Sequence, residues 1–107
     1  MARTGSQREK NVERYLLLRC RESGFLCLKF VSPARGGVPD RIIVTPTVGT
    51  VFVEVKRPRG GLARRQRLMH TKIRRFGGEV HVVDSTVAVD ELVSCLRRRG
   101  SGRARSE

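Results

Sequence analysis

Three charged residues in the middle of the chain could together bind a divalent cation beside a phosphate. Asp40 follows a proline, and Glu54 and Lys56 lie further along with one residue between them. Side chains alternate along a strand, so Glu54 and Lys56 point to the same face, together with Phe52. Carboxylate oxygens are ligands that Mg²⁺ and Mn²⁺ prefer. These residue types at this spacing therefore favour metal-assisted chemistry on a phosphate ester.

A hairpin would bring these residues together. Residues 41–45 and 50–56 are short runs rich in β-branched residues, with the turn PTVG at 46–49 between them, which is the pattern of two antiparallel strands. Folding this hairpin places Asp40 opposite positions 54–56. One register leaves Asp40 across from Val55, and a shift by one residue puts it beside Glu54 or Lys56. The sequence leaves the register open.

Such a cluster could carry out hydrolysis. Two neighbouring carboxylates repel each other unless a cation lies between them. Asp40, Glu54 and the backbone carbonyl of Val55 could hold a cation that polarises a phosphate and lowers the pKa of a water. Lys56 could orient or deprotonate that water, or stabilise the developing negative charge. The alternative is that both acids are ordinary strand-end charges paired with Arg41 and Lys56.

The overall charge indicates the kind of partner. The chain has 23 Lys and Arg against 10 Asp and Glu, a net charge of +13, and a chain this basic attracts a polyanion, with nucleic acid as the first candidate. A ribosomal-type RNA-binding protein is an alternative that rests on charge alone. No apolar run approaches the length of a membrane span, and no secretory signal is found, so a cytoplasmic location is expected. The three cysteines show no metal-binding spacing and are expected to be reduced thiols.

The elements that must position the cluster suggest one α/β domain. The patterns predict helices over 6–21, 62–76 and 87–97, the hairpin described above, a mostly buried strand over 25–31 and a strand over 79–83. The order is therefore αβββαβα, with the strands in one mixed sheet and the helices packed against it. Residues 1–7 are expected to be a flexible N-terminus, 8–97 the folded domain and 98–107 a disordered basic tail.

Four segments together resemble a known family. They are GVPDRIIV at 37–44, VFVEVKRPRGGL at 51–62, RRQRLMH at 64–70 and GGEVHVVDS at 77–85. GxPD, then ExK, then a Gln one loop later resembles the VRR-NUC domain, which belongs to the PD-(D/E)xK nucleases. The resemblance implies a restriction-endonuclease-like core and an endonuclease that uses Mg²⁺ or Mn²⁺. It also implies the standalone type found in bacteria and phages, a homodimer that cuts branched DNA such as Holliday junctions.

The resemblance also implies roles for single residues. Asp40 and Glu54 would be metal ligands, Lys56 the catalytic lysine, and Gln66 a residue that shapes the site. Glu13 would be the first-helix acid that contributes to the metal site, with Glu9 in reserve. Gln66 also falls inside the apolar stripe of the second helix, where a polar side chain needs a partner. An active site could supply that partner, or Gln66 could be a satisfied core residue.

The basic residues nearest the cluster are the candidates for DNA contacts. The predicted phosphate-binding residues are Lys29, Arg57, Arg59, Arg64, Arg65 and Arg67. Lys29 alternates with Leu28 and Phe30, so it could share the face of the acids. The scarcity of aromatic residues argues against base stacking, which favours recognition of the DNA backbone and its shape. His70 lies one turn from Gln66 and is interpreted as a surface residue of a basic helix, with a functional role as the alternative.

These observations predict a metal-dependent, structure-selective DNA endonuclease that acts as a homodimer. Two alternatives remain. One is a monomeric nicking or flap nuclease, and the other is a DNA-binding protein that keeps the fold and does not cleave.

Overall fold

The computed structural model describes residues 5–33 and 35–106. The helices are α1 (Gly5–Ser23), α2 (Arg64–Arg75) and α3 (Thr86–Ser106), and the strands are β1 (Leu26–Lys29), β2 (Arg41–Thr45), β3 (Gly49–Val55) and β4 (Val80–Val83). The predicted α/β class and the order αβββαβα are confirmed. None of the described helices combines the length and the apolar character needed to cross a lipid bilayer.

The strands form one mixed sheet, as predicted. Its order is β1-β2-β3-β4; β2 is antiparallel to both β1 and β3, and β4 is parallel to β3. A parallel connection needs a crossover long enough to return the chain to the same end of the sheet. Helix α2 provides that crossover, so the segment that follows the Glu54–Lys56 motif must pass across the sheet.

The two faces of the sheet have different roles. We call the side of Val51, Val53 and Val55 the core face, because these side chains are almost fully buried against α1 and α3. The opposite side, which carries Phe52 and Glu54, we call the site face. Helix α2 packs on this face, where one of its side chains contacts Glu54. The candidate acids therefore lie on the opposite side of the sheet from the main hydrophobic core.

Strand β1 differs from its prediction. A mostly buried strand was expected over 25–31, but the strand is shorter, and Leu26 and Leu28 remain 55% and 45% exposed. The reason lies in the position of α2. This helix reaches β3 through Glu54 and β4 through the carbonyl of Val80, which accepts a hydrogen bond from Arg74. Helix α2 therefore does not extend over the β1 edge of the site face, and Leu26 and Leu28 are left exposed among the described residues.

Helix α3 is longer than predicted. A disordered tail was expected from residue 98, yet α3 continues to Ser106. The guanidinium of Arg99 donates two hydrogen bonds to the carboxylate of Glu79, at 2.6 and 2.9 Å, which ties the helix to the start of β4. Arginine is also a good helix former. At the other end, residues 5–7 already belong to α1, while residues 1–4 of the predicted flexible N-terminus lie outside the described part of the chain.

The loop before Asp40 is packed tightly against the first turn of α2. Gly37 has φ +81°, a left-handed conformation, and a Cβ added there would lie 2.5 Å from the carbonyl oxygen of Arg65. A residue with a side chain can neither adopt this φ easily nor fit this space. The contact sets the distance between the loop that carries Asp40 and the helix that covers Glu54.

This packing predicts unequal costs for two glycine substitutions. Gly24 has a similar φ of +74°, but nothing lies within 4 Å of an added Cβ. Gly24→Ala should therefore cost only the left-handed strain, about 1–2 kcal/mol. Gly37→Ala should cost a further ~1–3 kcal/mol because the helix or the loop must move. Denaturant unfolding of the two variants measures the difference, and equal losses would show that the contact does not constrain the loop.

Candidate active site

Asp40 lies directly before β2 and is held by the backbone of β3. Its Oδ1 accepts a hydrogen bond from the N–H of Val55 at 3.1 Å, and its carbonyl oxygen accepts one from Phe30 at 2.9 Å. Arg41 pairs with Val53, so the next position places Asp40 opposite Glu54. This pairing selects one of the registers that the sequence left open. Burial raises the pKa of Asp40 above its ordinary value.

Glu54 is the buried acid of the pair. It is only 4% exposed, and it lies on the site face with Phe52, as the alternation predicted. Burial, with a smaller contribution from the negative charge of Asp40, raises the pKa of Glu54 to about 7, while Lys56 acts in the opposite direction. The N–H of Lys56 donates to the carbonyl of Val83 at 2.9 Å, so the strand pairing holds the lysine beside the acids.

The peptide group of Val55 lies between the two acids. The N–H and C=O of one strand residue point to the same neighbouring strand. Because the Val55 N–H donates to Asp40, the Val55 carbonyl oxygen faces the same side. Two carboxylates and one carbonyl therefore converge where β2 and β3 meet. Such an arrangement is electrostatically strained when both acids are ionised.

The acids of α1 contribute charge to the site, but in the described part of the chain no hydrogen bond joins them to Asp40 or Glu54. Glu13 forms an ion pair with Arg41, with 3.1 Å between its Oε2 and a guanidinium nitrogen. The negative charges of Glu13 and Glu9 nevertheless raise the pKa of Asp40. Within residues 5–33 and 35–106, no three acidic, histidine or cysteine side chains are grouped so that they could hold a metal ion.

Two sequence-based interpretations are changed by these contacts. The alternative in which the site acids pair with Arg41 is wrong for that residue, because Arg41 pairs with Glu13. Gln66 uses its side-chain oxygen to accept a hydrogen bond from the N–H of Ala63 at 2.9 Å. It therefore caps the start of α2. The sequence analysis had offered two other roles for Gln66, a contact in the active site or a satisfied position in the core.

The predicted phosphate-binding residues fall into two groups. Lys29 pairs with Arg41, which pairs with Val53, and paired residues share a face. Lys29 therefore belongs to the core-face side, and the prediction that it shares the face of the acids is wrong. The structure brings the remaining five together as exposed residues on the loop after β3 and the first turns of α2, namely Arg57, Arg59, Arg64, Arg65 and Arg67.

His70 is the site residue that the sequence analysis missed. It was interpreted as a surface residue, but it is 1% exposed, and its Nε2 lies 3.4 Å from Oε1 of Glu54. Burial lowers the pKa of His70 below its ordinary value, and Arg74 and Lys56 lower it further. Helical spacing could have revealed it. Positions 66, 70 and 73 share one face of a helix, so His70 follows the stripe that contains Gln66 and Ile73.

The fold and the site define the class of protein. A mixed sheet with an acid before one strand and an acid and a lysine on its neighbour is the arrangement that the restriction-endonuclease-like resemblance implies. The model of the VRR-NUC domain matches residues 3–87. The chain belongs to the VRR-NUC domain family, and it is a nuclease domain.

Two similar proteins support this assignment. "Putative nuclease p44" of Acyrthosiphon pisum secondary endosymbiont phage 1 is 38% identical over 78 residues, which are 73% of this chain and 84% of that protein. A solved structure described as a VRR_NUC domain superposes with a TM-score of 0.75 at 31% identity and covers 81% of this chain and 95% of its own. The family assignment therefore rests on sequence and on structure.

The raised pKa of Glu54 predicts that the metal-free protein is destabilised by its own site. The folded-state pKa of about 7 lies above the ordinary value of 4.5, so the stability that Glu54 contributes at low pH is lost as the pH rises through about 7. With chelator present, Glu54→Gln should be more stable than wild type at pH 8 by roughly 1–3 kcal/mol, and the gain should shrink by pH 5. Denaturant unfolding at both pH values measures this, with the exposed Glu91→Gln as the control. An equal difference at both pH values would contradict the raised pKa.

Proposed function

We propose that this protein is a metal-dependent, structure-selective endonuclease that hydrolyses phosphodiester bonds of DNA, with branched duplexes such as Holliday junctions as its substrate. The observation that carries the proposal is the convergence of Asp40, Glu54 and the Val55 carbonyl where β2 and β3 meet, with Lys56 beside them. Exposed arginines lie on the loop and helix that follow.

The donor set fits Mg²⁺ or Mn²⁺. Two carboxylates and a backbone carbonyl are hard oxygen ligands, and Mg²⁺ normally keeps several waters and binds few protein side chains. A site that offers two carboxylates and the Val55 carbonyl, and that leaves the other coordination positions to water, matches this preference. Glu13, or Glu9 in its place, would act through a bound water. When bound, the cation would polarise the scissile phosphate and lower the pKa of the attacking water.

The remaining residues of the site bind, orient and stabilise. Lys56 would place its ammonium group against the reacting phosphate, where it offsets developing negative charge or orients the water. Gln66 would shape the site through α2, because it caps the turn of the helix that contacts the loop before Asp40. The acids themselves would repel the scissile phosphate, and the cation and Lys56 would offset this repulsion within the site.

The basic surface would bind the DNA backbone. The net charge of +13 and the five exposed arginines beside the site suit phosphate contacts, which position the duplex without reading its sequence. Lys29 is a further candidate on the other face of the sheet. DNA bound in this way would be recognised by shape, which is consistent with branched substrates.

A homodimer is part of the proposal. The relevant feature is the uncovered β1 edge, where Leu26 and Leu28 are about half exposed. Exposed apolar side chains grouped on one face are typical of association surfaces. A second copy related by a two-fold axis would cover them and would present two sites to the paired strands of a junction.

Cleavage assays test the proposed function directly. Wild-type protein with Mg²⁺ or Mn²⁺ should cut a labelled four-way junction faster than a linear duplex of the same sequence, and chelator should stop the reaction. Asp40→Asn, Glu54→Gln and Lys56→Met should each reduce the rate by at least about 100-fold because each removes charge from the transition state. Their binding to the junction in Ca²⁺ should persist, which separates loss of chemistry from loss of folding.

The same assays distinguish the alternatives. Light scattering that gives a monomer, together with preferred cutting of nicked or flapped duplexes, would replace the junction-cutting dimer with a monomeric nicking or flap nuclease. Binding without cutting under every metal condition would leave a DNA-binding protein of this fold. Tight binding to RNA with no dependence on metal would support the alternative based on charge alone.

The pKa of Glu54 predicts how metal affinity depends on pH. A carboxyl group with a pKa near 7 holds a proton that the cation must displace. The affinity for Mn²⁺ should therefore rise as the pH increases from 6 to 8, by up to about tenfold per unit below the pKa and little above it. Isothermal titration calorimetry in buffers of different ionisation enthalpy measures both the affinity and the released proton. A pH-independent affinity would contradict the assignment of Glu54 as a ligand.

A further inference from the structure

The side chain that helix α2 buries against the sheet is a histidine. Of its residues Arg64–Arg75, only His70 is buried, at 1% exposure. An aliphatic side chain at this position would leave no polar group unsatisfied, whereas a buried imidazole loses its hydrogen bonds to water. Such a residue needs a partner that compensates for this loss, and the structure provides one partner for one of its nitrogens.

That partner is the acid at the centre of the proposed metal site. The Nε2 of His70 lies 3.4 Å from Oε1 of Glu54. The Nδ1 is buried without a hydrogen-bond partner among the described residues. An ionised carboxylate only accepts hydrogen bonds, so when Glu54 binds a cation the Nε2 must carry the hydrogen and Nδ1 must be the bare nitrogen. This tautomer leaves no buried N–H group without an acceptor.

We infer that His70 is a positioning residue that holds the Glu54 carboxylate in the orientation needed to bind the catalytic cation. This inference rests on the proposed function, because it concerns the same site. His70 does not touch the DNA or the reacting atoms in this role. It acts only through Glu54, in the way that outer hydrogen-bond partners orient the ligands of metal sites.

The two acids of the site are held by different parts of the fold. Asp40 accepts its hydrogen bond from the backbone of β3 at 3.1 Å, so a main-chain group of the sheet holds its carboxylate. Glu54 lies on β3, but its carboxylate is contacted by a side chain from α2. Correct spacing of the two carboxylates therefore depends on the seating of α2 as well as on the hairpin. The contact of Gly37 with the first turn of α2 supports that seating.

The long distance between His70 and Glu54 agrees with this role. A separation of 3.4 Å lies beyond the usual range of about 2.7–3.2 Å for such a hydrogen bond, so the contact is weak in this state. Hydrogen bonds around a catalytic site are often long before the complete complex forms, and they tighten when it does. A cation that holds Glu54 in the ionised form would make its oxygen a stronger acceptor for the Nε2 hydrogen.

A pair of substitutions tests the inference. His70→Leu keeps an apolar side chain of similar size and removes the hydrogen-bond donor, and His70→Gln keeps a donor close to the position of Nε2. Mn²⁺ affinity is measured by isothermal titration calorimetry in the absence of DNA, and junction cleavage is measured as a function of Mn²⁺ concentration. Circular dichroism and junction binding in chelator establish that each variant is folded.

If His70 positions Glu54, the two variants should differ in metal affinity. His70→Leu should bind Mn²⁺ about 10–100-fold more weakly and should need correspondingly more metal for half-maximal cleavage, while its junction binding in chelator stays unchanged. His70→Gln should recover most of the loss. A role in packing alone would not separate the two variants in this direction, because leucine fills the apolar space better than glutamine.

Other results would overturn the inference. Wild-type metal affinity in a folded His70→Leu variant would show that His70 does not position Glu54, and so would an equal loss in both variants. If His70→Leu does not fold, the comparison of His70→Gln with wild type decides, since a loss of metal affinity beyond about tenfold in a variant that keeps the donor contradicts the role. Failure of the wild-type protein itself to bind Mn²⁺ or cut DNA would instead refute the proposed function.

Discussion

The candidate site depends on two neighbouring carboxylates that are both removed in large part from water. Asp40 and Glu54 meet at the end of the β2–β3 hairpin, where burial is the largest cause of the raised pKa of each. Most proteins avoid this arrangement because both burial and repulsion oppose ionisation. Acids whose pKa is shifted in this way are typical of functional sites, where some loss of stability is tolerated for the sake of the chemistry. The chain belongs to a family of nuclease domains, so the function in question is the cleavage of nucleic acid.

The rest of the fold can be understood as the support for this pair. The valines of β3 bury their side chains on the core face against α1 and α3, and this anchors the strand whose other face carries Glu54. The neighbouring peptide of Val55 fixes Asp40. Helix α2 crosses the site face and encloses Glu54 with His70. A rigid hairpin therefore provides the positions of the acids, and a helix from the crossover controls their surroundings.

Negative and positive charges occupy different parts of the molecule. The acids are recessed at the hairpin, whereas the arginines of the following loop and of α2 are exposed. A phosphate backbone would first meet positive charge and would reach the acids only where a cation compensates them. Arg41 fits this separation of charge, because it forms its ion pair with Glu13 and does not compete with a cation for Asp40 or Glu54.

The sequence by itself determined what depends on local spacing. The order of the elements, the hairpin and the shared face of Glu54 and Lys56 follow from alternation and turn chemistry, which act between residues close in the chain. Only the tertiary structure decided which element covers which face. The burial of His70, the exposure of Leu28, the face of Lys29 and the pairing of Arg41 with Glu13 all follow from where α1 and α2 pack. The continuation of α3 beyond Arg97 likewise depends on Glu79, a residue distant in sequence. Such contacts join segments that are distant in the sequence, so no short-range pattern predicts them. The free energy that favours them comes from the packing of the whole domain.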